Sequence, residues 1–479
     1  MSVLVIDVGT SSIRVVRADA DGSLRNERRA EALPITPMEG LVEFDAAHLA
    51  DTAARLVSES LGADGPVEGL AITNQRASTV VWDPVTGEPV APGQGWQDLR
   101  TVGDCLVLAG QGLRLAPNQS ATKLANLLDA TDPGRTRGLL GGTIDTWLAW
   151  KLSGGSACVT DASNASVTGL SDEAVTGWAG EVLATLNVPA ATLPSIVDSV
   201  GQLGTLHEVA GAPPLLAVLG DQQASMIGQG AVLPDTAKIT FGTGAMLDVC
   251  TPGDHPSVPR TAAGCFPLVG WSEDGTRTWA MEAIGLSAGS NVEWLRDDLG
   301  IIDQVSDCDA LAASVDDAGG VVFVPAPLGL GTPHWDYGAR SGLFGLTRGS
   351  TKAHVARAVL EGVARRGAEL LQAAESDTGA HIARLRVDGG MSANATFVQA
   401  LANAINRPVE VSPHLEATAR GAALAAGVAL GWFPSVSALA ELWHPAAVIE
   451  PTGSFDADEW AGAVERTRNW HADLSAINF

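Results

Sequence analysis

The chain opens with short apolar runs broken by small polar residues. Val3–Ile6 reads as a strand, Asp7-Val8-Gly9-Thr10-Ser11-Ser12 as a turn, and Ile13–Ala18 as a returning strand. The same pattern recurs in the middle: Lys238–Phe241, then Gly242-Thr243-Gly244, then Met246–Cys250. Each unit predicts a β-hairpin with a glycine-containing, hydroxyl-bearing tip. Glycine lets backbone approach a ligand closely, and consecutive exposed N–H groups suit phosphate oxygens. One such hairpin is an ordinary turn. Two of them, one opening each half of the chain, suggest a nucleotide held between two lobes.

The elements between the hairpins alternate helix and strand. Residues 45–61 carry Leu49, Ala53, Leu56 and Val57 at helical spacing. Val67–Thr73 reads as a strand ending at Asn74-Gln75-Arg76, and Leu215–Leu219 as one ending at Gly220-Asp221-Gln222-Gln223. In open α/β sheets, ligands sit beyond such carboxyl ends. Later come a strand at Gly320–Pro325 and a Pro/Gly-rich loop at Ala326–Arg340. A long helix follows at Lys352–Glu375, capped by Ser350 or Thr351 and stopped by Gly379. Ile382–Val387 is a strand stopping at Asp388-Gly389-Gly390. Asn394–Ala404 is a helix, and Thr418–Leu430 is a small-residue helix suited to tight packing. The expected organisation is α/β with two lobes, residues 1–229 and 230–479, and the last helix packing back on the first lobe.

Composition narrows the class. A chain of 479 residues, 46% hydrophobic and 18% charged, is a folded protein large enough for two lobes. Its net charge of −26 opposes nucleic acid and anionic lipid as partners. Apolar runs stop short of the ~18 residues of a membrane span, and no secretory leader pattern is present. Five scattered cysteines, without a Cys-x-x-Cys, fit a reducing cytoplasm and oppose a zinc site. Lysine is scarce: Lys123, Lys151, Lys238 and Lys352 are all there are. A bound triphosphate would therefore rely on backbone amides, hydroxyls and a metal ion.

Several motifs admit two readings. No phosphate-binding G-x-x-x-x-G-K-[ST] and no protein-kinase signature set occurs. Gly285-Leu286-Ser287-Ala288-Gly289 matches the G-x-S-x-G of serine hydrolases, or is a small-residue entry into a helix. Asp221, at a strand end, is either a base for a substrate hydroxyl or a helix N-cap. Asp7 is either a Mg²⁺-associated carboxylate or the cap of its turn. Asp388-Gly389-Gly390 either lets backbone approach a nucleoside or is a plain turn.

Taken together, nine stretches resemble the FGGY carbohydrate kinase family, and within it the glycerol kinases. They are Asp7–Arg14, Ile72–Arg76, Trp96–Thr101, Gly142–Leu152, Gly220–Gln223, Phe241–Gly244, Gly329–Asp336, Ser341–Glu361 and Arg386–Asn394, spread over essentially the whole chain. The resemblance implies two ribonuclease-H-like lobes of the actin/Hsp70 ATPase type closing on MgATP. It implies γ-phosphoryl transfer to a hydroxyl of a small polyol or sugar, with a homodimer as an expected assembly. By position, Asp221 corresponds to the general base and Asp7 to the Mg²⁺ carboxylate. Thr10, Ser11 and Arg14 match the first phosphate loop, and Gly242, Thr243 and Gly244 the second. Gly289, Gly390, Met391 and Asn394 match nucleotide-pocket positions. Arg76, Trp96 and Gln222 match polyol-binding positions.

Three positions depart from the glycerol kinases. Ala77 stands where they carry a glutamate, Asn118 where they carry a tyrosine, and Met246 where they carry a phenylalanine. A lost hydrogen-bond partner typically costs ~1–3 kcal/mol, a loss that so small a triol absorbs poorly. The expectation is an acceptor larger than glycerol. A catalytically silent nucleotide-binding sensor or partner-binding module on the same fold is the alternative.

Overall fold

The computed structural model describes residues 1–253 and 260–477. Two large sheets dominate it. The first runs in the order Val200–Thr205, Pro214–Gly220, Leu70–Asn74, Ser2–Val8, Ser12–Asp19, Leu24–Glu31. Three of its four inner strands, Pro214–Gly220, Leu70–Asn74 and Ser2–Val8, are parallel, and their register places Val8 and Gly220 opposite Asn74. The chain therefore leaves all three at one level, delivering Gly9-Thr10, Gln75-Arg76 and Asp221 to the same edge. Both faces of these strands are covered, which explains their unbroken apolar runs.

The second sheet repeats the plan. Thr236–Phe241, Leu385–Asp388 and Val409–Val411 are parallel, with antiparallel Ala447–Ile449 at one edge. On the other side lie Ala245–Cys250, Thr276–Gly285 and Phe266–Glu273. Thr240 pairs with Asp388, so the hairpin tip at 242–244 and the turn at Gly389-Gly390 emerge side by side. Both predicted hairpins form, Ser2–Val8 with Ser12–Asp19 and Thr236–Phe241 with Ala245–Cys250.

Local chemistry sets the element ends. The long helix spans Lys352–Thr378, with a capping box of Thr351 and His354 and a left-handed Gly379 after it. The strand expected from Val67 begins at Leu70, although Glu68 N and Gly69 O already bond Ser2 O and Leu4 N of the neighbouring strand; just before it, Arg17 binds the Asp64, Gly65 and Pro66 carbonyls. Ile382 is excluded from its strand because its N–H donates to Glu375 Oε1 at 2.7 Å. Asn394 is the N-cap of Ala395–Ile405 rather than its first residue.

The small-residue helix forms as Ala417–Ala429 and crosses Asp221–Gly228 at backbone contact. A Cβ on Gly421 would lie 1.8 Å from the Ala224 carbonyl oxygen, and one on Gly228 1.9 Å from that of Ala417. Around this crossing a core joins both halves: Val3, Val5 and Leu216 from one, Leu268, Trp271, Ala422 and Leu424 from the other. Near the end of the chain, the described helices lie against the second half. Trp460, Ala463 and Val464 of Ala457–Glu465 are buried against Val322, Val324 and Leu330, and Ser475 bonds Asp336 at 2.6 Å. The apolar face of Ala457–Glu465 fits the second half, and Ala417–Ala429 makes the cross-lobe contact.

Gly421→Ala is expected to destabilise the chain by ~3 kcal/mol, the upper end for overpacking, because the obstacle is backbone. Gly103→Ala, in a helix with open space around it, should be neutral or slightly stabilising. Denaturant unfolding of both variants checks the contrast.

Candidate active site

The first hairpin tip is tied to the strand ends beside it. Gln75 N donates to Val8 O at 2.7 Å, and Gln75 Nε2 to Gly9 O at 3.2 Å. Trp96 reaches across from a separate loop and donates Nε1–H to Thr10 Oγ1 at 3.2 Å. Ser11 is exposed at the tip. Arg14, on the returning strand, donates to Asp7 Oδ2 at 2.5 Å and also pairs with Glu416, which precedes the crossing helix Ala417–Ala429.

The second tip belongs to the second sheet. Gly242 and Thr243 are exposed. Their carbonyls accept from Gly289 N (2.8 Å) and Ala288 N (2.7 Å), which brings Gly289 against the tip so closely that a Cβ there would lie 2.7 Å from Gly242 O. Gly244 is equally constrained, 2.8 Å from Gly285 O by the same measure. Gly389, at φ 84°, packs on the Phe241 backbone, and Gly390 follows with open space around it. Met391 is buried beside them, and Asn394 spends its side-chain oxygen on the Phe397 N–H at 2.8 Å. The Gly242 N–H is spent on Gly244 O at 2.9 Å, and Thr243 is exposed beside it.

Asp221 interacts electrostatically with Asp7 of the first hairpin and with Lys238 of the second. It is the first residue of Asp221–Gly228, and Gly220 occupies the cap position, so the N-cap reading does not hold. Its Oδ1 accepts from Gln222 N at 2.8 Å and lies 3.5 Å from Arg76 Nε. Burial raises its pKa, and Arg76 opposes the rise. Arg76 also donates to Glu282 Oε2 at 2.7 Å, while its Nη1 is buried without a partner. Burial, resisted by Arg76 and reinforced by Asp248, pushes the Glu282 carboxyl up to about 7. Gln222 accepts a hydrogen bond from Lys238 Nζ at 2.8 Å.

The three departing positions differ in burial. Ala77 is buried at φ 61° directly after Arg76. Asn118 is exposed, and Met246 is half-buried on the strand after the second tip. The fully buried Lys123 joins two segments: its ammonium donates to the carbonyls of Pro117, Gln119 (2.9 Å) and Trp96 (3.5 Å). Ser287 is buried and donates to Pro325 O at 3.4 Å. Its recorded partner is a backbone carbonyl rather than the histidine a hydrolase would need.

Two family models match the chain: the FGGY carbohydrate kinase N-terminal domain over residues 2–228 and the C-terminal domain over residues 237–430. The chain belongs to the FGGY family of carbohydrate kinases. It has the actin/Hsp70-like two-domain ATPase fold of that family, and it is a phosphotransferase that uses ATP to phosphorylate a polyol or sugar. A glycerol kinase of Dechloromonas aromatica is 41% identical over 496 residues, covering 98% of each chain. The crystal structure of Plasmodium falciparum glycerol kinase with ADP superposes with a TM-score of 0.90 at 28% identity, covering 100% of this chain and 99% of that one. A ligand-bound xylulose kinase of Lactobacillus acidophilus shares the fold at a TM-score of 0.84 and 19% identity, covering 99% and 98%. Among the described residues no helix is long and apolar enough to cross a membrane.

Sequence reasoning missed Glu282, Asp248, Glu416 and the roles of two lysines. A signal was present: Lys123 and Lys238 are two of only four lysines, and both are fully buried. A scarce, costly side chain in an apolar context marks a specific partner.

Asp7 is buried, and burial raises its carboxyl from 3.8 to about 6 despite Arg14. A carboxyl with a higher pKa folded than unfolded binds extra protons on folding, so it costs stability above the folded value and nothing below the unfolded one. Asp7→Asn, which mimics the protonated form, should stabilise the nucleotide-free protein by ~3 kcal/mol at pH 7.5. The gain should vanish by about pH 4. Thermal unfolding at the two pH values, in chelator, measures it.

Proposed function

We propose that the acceptor is a polyol or sugar larger than glycerol, and that Asp221 is the general base. The observation supporting this is the placement of Asp221 at the sheet edge that also carries Gly9-Thr10, 3.5 Å from Arg76 and near enough to Asp7 and Lys238 for their charges to interact. In that arrangement the acceptor hydroxyl donates its proton to Asp221 as its oxygen attacks the γ-phosphorus. Arg76 and Gln222 offer donors to neighbouring hydroxyls, and Trp96 supplies a wall fixed by its bond to Thr10. The raised pKa of Asp221 makes it a stronger proton acceptor than a solvated carboxylate.

The tips at Thr10-Ser11 and Gly242-Thr243-Gly244, with Arg14, receive the phosphate chain of ATP, while Gly289, Gly390, Met391 and Asn394 border the nucleoside. Closure over the acceptor excludes water as a competing nucleophile. Mg²⁺ fits the donor set. Asp7 is a single buried carboxylate raised by desolvation, and magnesium takes one or two carboxylates, the remaining positions going to phosphate oxygens and water. When bound, the ion offsets charge on the phosphates. The silent-module alternative is disfavoured by the retained Asp221, which a binder would not need. The proposal includes a cytoplasmic location and a homodimer, the latter open to light scattering.

Larger acceptors are favoured by the three departures. Ala77 removes a carboxylate next to Arg76, and Asn118 and Met246 replace aromatic walls. A coupled ADP-release assay over triols, tetritols, pentitols and ketoses should show at least one longer acceptor with higher kcat/KM than glycerol. A clear preference for glycerol would overturn the substrate assignment. Asp221→Asn should lower turnover ~100-fold or more, and unchanged turnover would remove Asp221 from its role. Ala77→Glu should shift preference toward glycerol by roughly tenfold, the worth of one regained hydrogen bond.

A further inference from the structure

The second sheet carries a row of charges. Register places Glu410 opposite Arg386, Arg386 opposite Lys238, Lys238 opposite Asp248, and Asp248 opposite Glu282. Residues in register share a face, so five neighbouring strands contribute one transverse line of alternating and like charges. Lys238, Asp248 and Glu282 are almost fully buried. Within the row Lys238 pairs with Asp248 at 2.8 Å, and Arg386 with Glu410 at 3.6 Å. Glu282 has no cation in the row, and its neighbour Asp248 is a like charge.

Three members of the row reach across to the first half. Arg386 Nη1 donates to Gln229 O at 2.8 Å, Lys238 Nζ to Gln222 Oε1 at 2.8 Å, and Glu282 accepts from Arg76 Nη2 at 2.7 Å. Two of the three end on acceptor-binding candidates. Buried ion pairs add little net stability compared with apolar packing, so stability does not account for this row.

The orientation of each bond matters. Arg76 lies between Glu282 and Asp221, the latter at the longer distance of 3.5 Å. Without Glu282 the guanidinium would settle fully on Asp221, lowering its basicity and withdrawing the unpartnered Nη1. Lys238 binds the carbonyl oxygen of the Gln222 side chain and so leaves its NH₂ as the donor for a ligand.

We propose that Glu282 and Lys238, both from the second lobe, are positioning residues for the acceptor site. Glu282 holds Arg76 off Asp221, and Lys238 fixes the amide of Gln222. Acceptor recognition is then assembled only when the two lobes are in register. This rests on the acceptor site proposed above.

The test uses the full-length protein with ribitol and glycerol as acceptors and compares three variants. Glu282→Gln should raise acceptor KM tenfold or more, lower kcat, and leave the KM for ATP within twofold. Glu410→Gln, in the same row but without an acceptor-side arm, should change neither KM. The paired variant Lys238→Met/Asp248→Leu removes a buried charge pair together, so it tests the second arm even if Glu282→Gln does not fold. It should raise acceptor KM at least fivefold, again with ATP unaffected. Acceptor KM values for Glu282→Gln and the paired variant indistinguishable from that of Glu410→Gln would overturn the proposal. Failure of the acceptor-site reading itself shows separately, as unchanged turnover in Asp221→Asn.

Discussion

Two helices crossing at backbone contact govern the rest of this structure. Asp221–Gly228 follows the strand that delivers Asp221, and Ala417–Ala429 comes from the far end of the second half. Gly228 and Gly421 meet with no room for a side chain on either. A pivot of this kind fixes separation while tolerating small rotations, because it presents carbonyls and glycines rather than interlocked side chains. Asp221 is the first residue of one crossing helix, and Glu416, which pairs with Arg14, immediately precedes the other. The position of the candidate base relative to the first hairpin is thus set by the pivot.

Beside the pivot lies a polar seam in a setting where apolar packing would have sufficed for stability. The charged row of the second sheet touches Arg76, Gln222 and Gln229 of the first half. Hydrophobic contacts hold the lobes at roughly the right distance, and directional bonds fix the groups within the cleft. Phosphoryl transfer needs that division of labour, because its catalysis is largely positioning and electrostatics.

Much of the plan was legible in the sequence where a single local signal decides an element. The hairpin tips, the apolar parallel strands, the Thr351 and Gly379 caps and the small-residue helix belong to that class. One element end was misjudged where a distant side chain intervened, as with Glu375 on Ile382. The candidate site was legible as separate motifs at strand ends, but Glu282 was not. On its own strand it is one acidic residue among apolar ones, and only register with Asp248 and proximity to Arg76 give it meaning.

The most direct measurement of the central claim is a crystal structure of the protein with a non-hydrolysable ATP analogue, Mg²⁺ and ribitol. The account predicts one acceptor hydroxyl within ~3.2 Å of the Asp221 carboxylate and in line with the γ-phosphorus, with Arg76 Nη1 and the Gln222 amide on neighbouring hydroxyls. An acceptor bound away from Asp221, or an Asp221 carboxylate fully engaged by Arg76 in that complex, would contradict it.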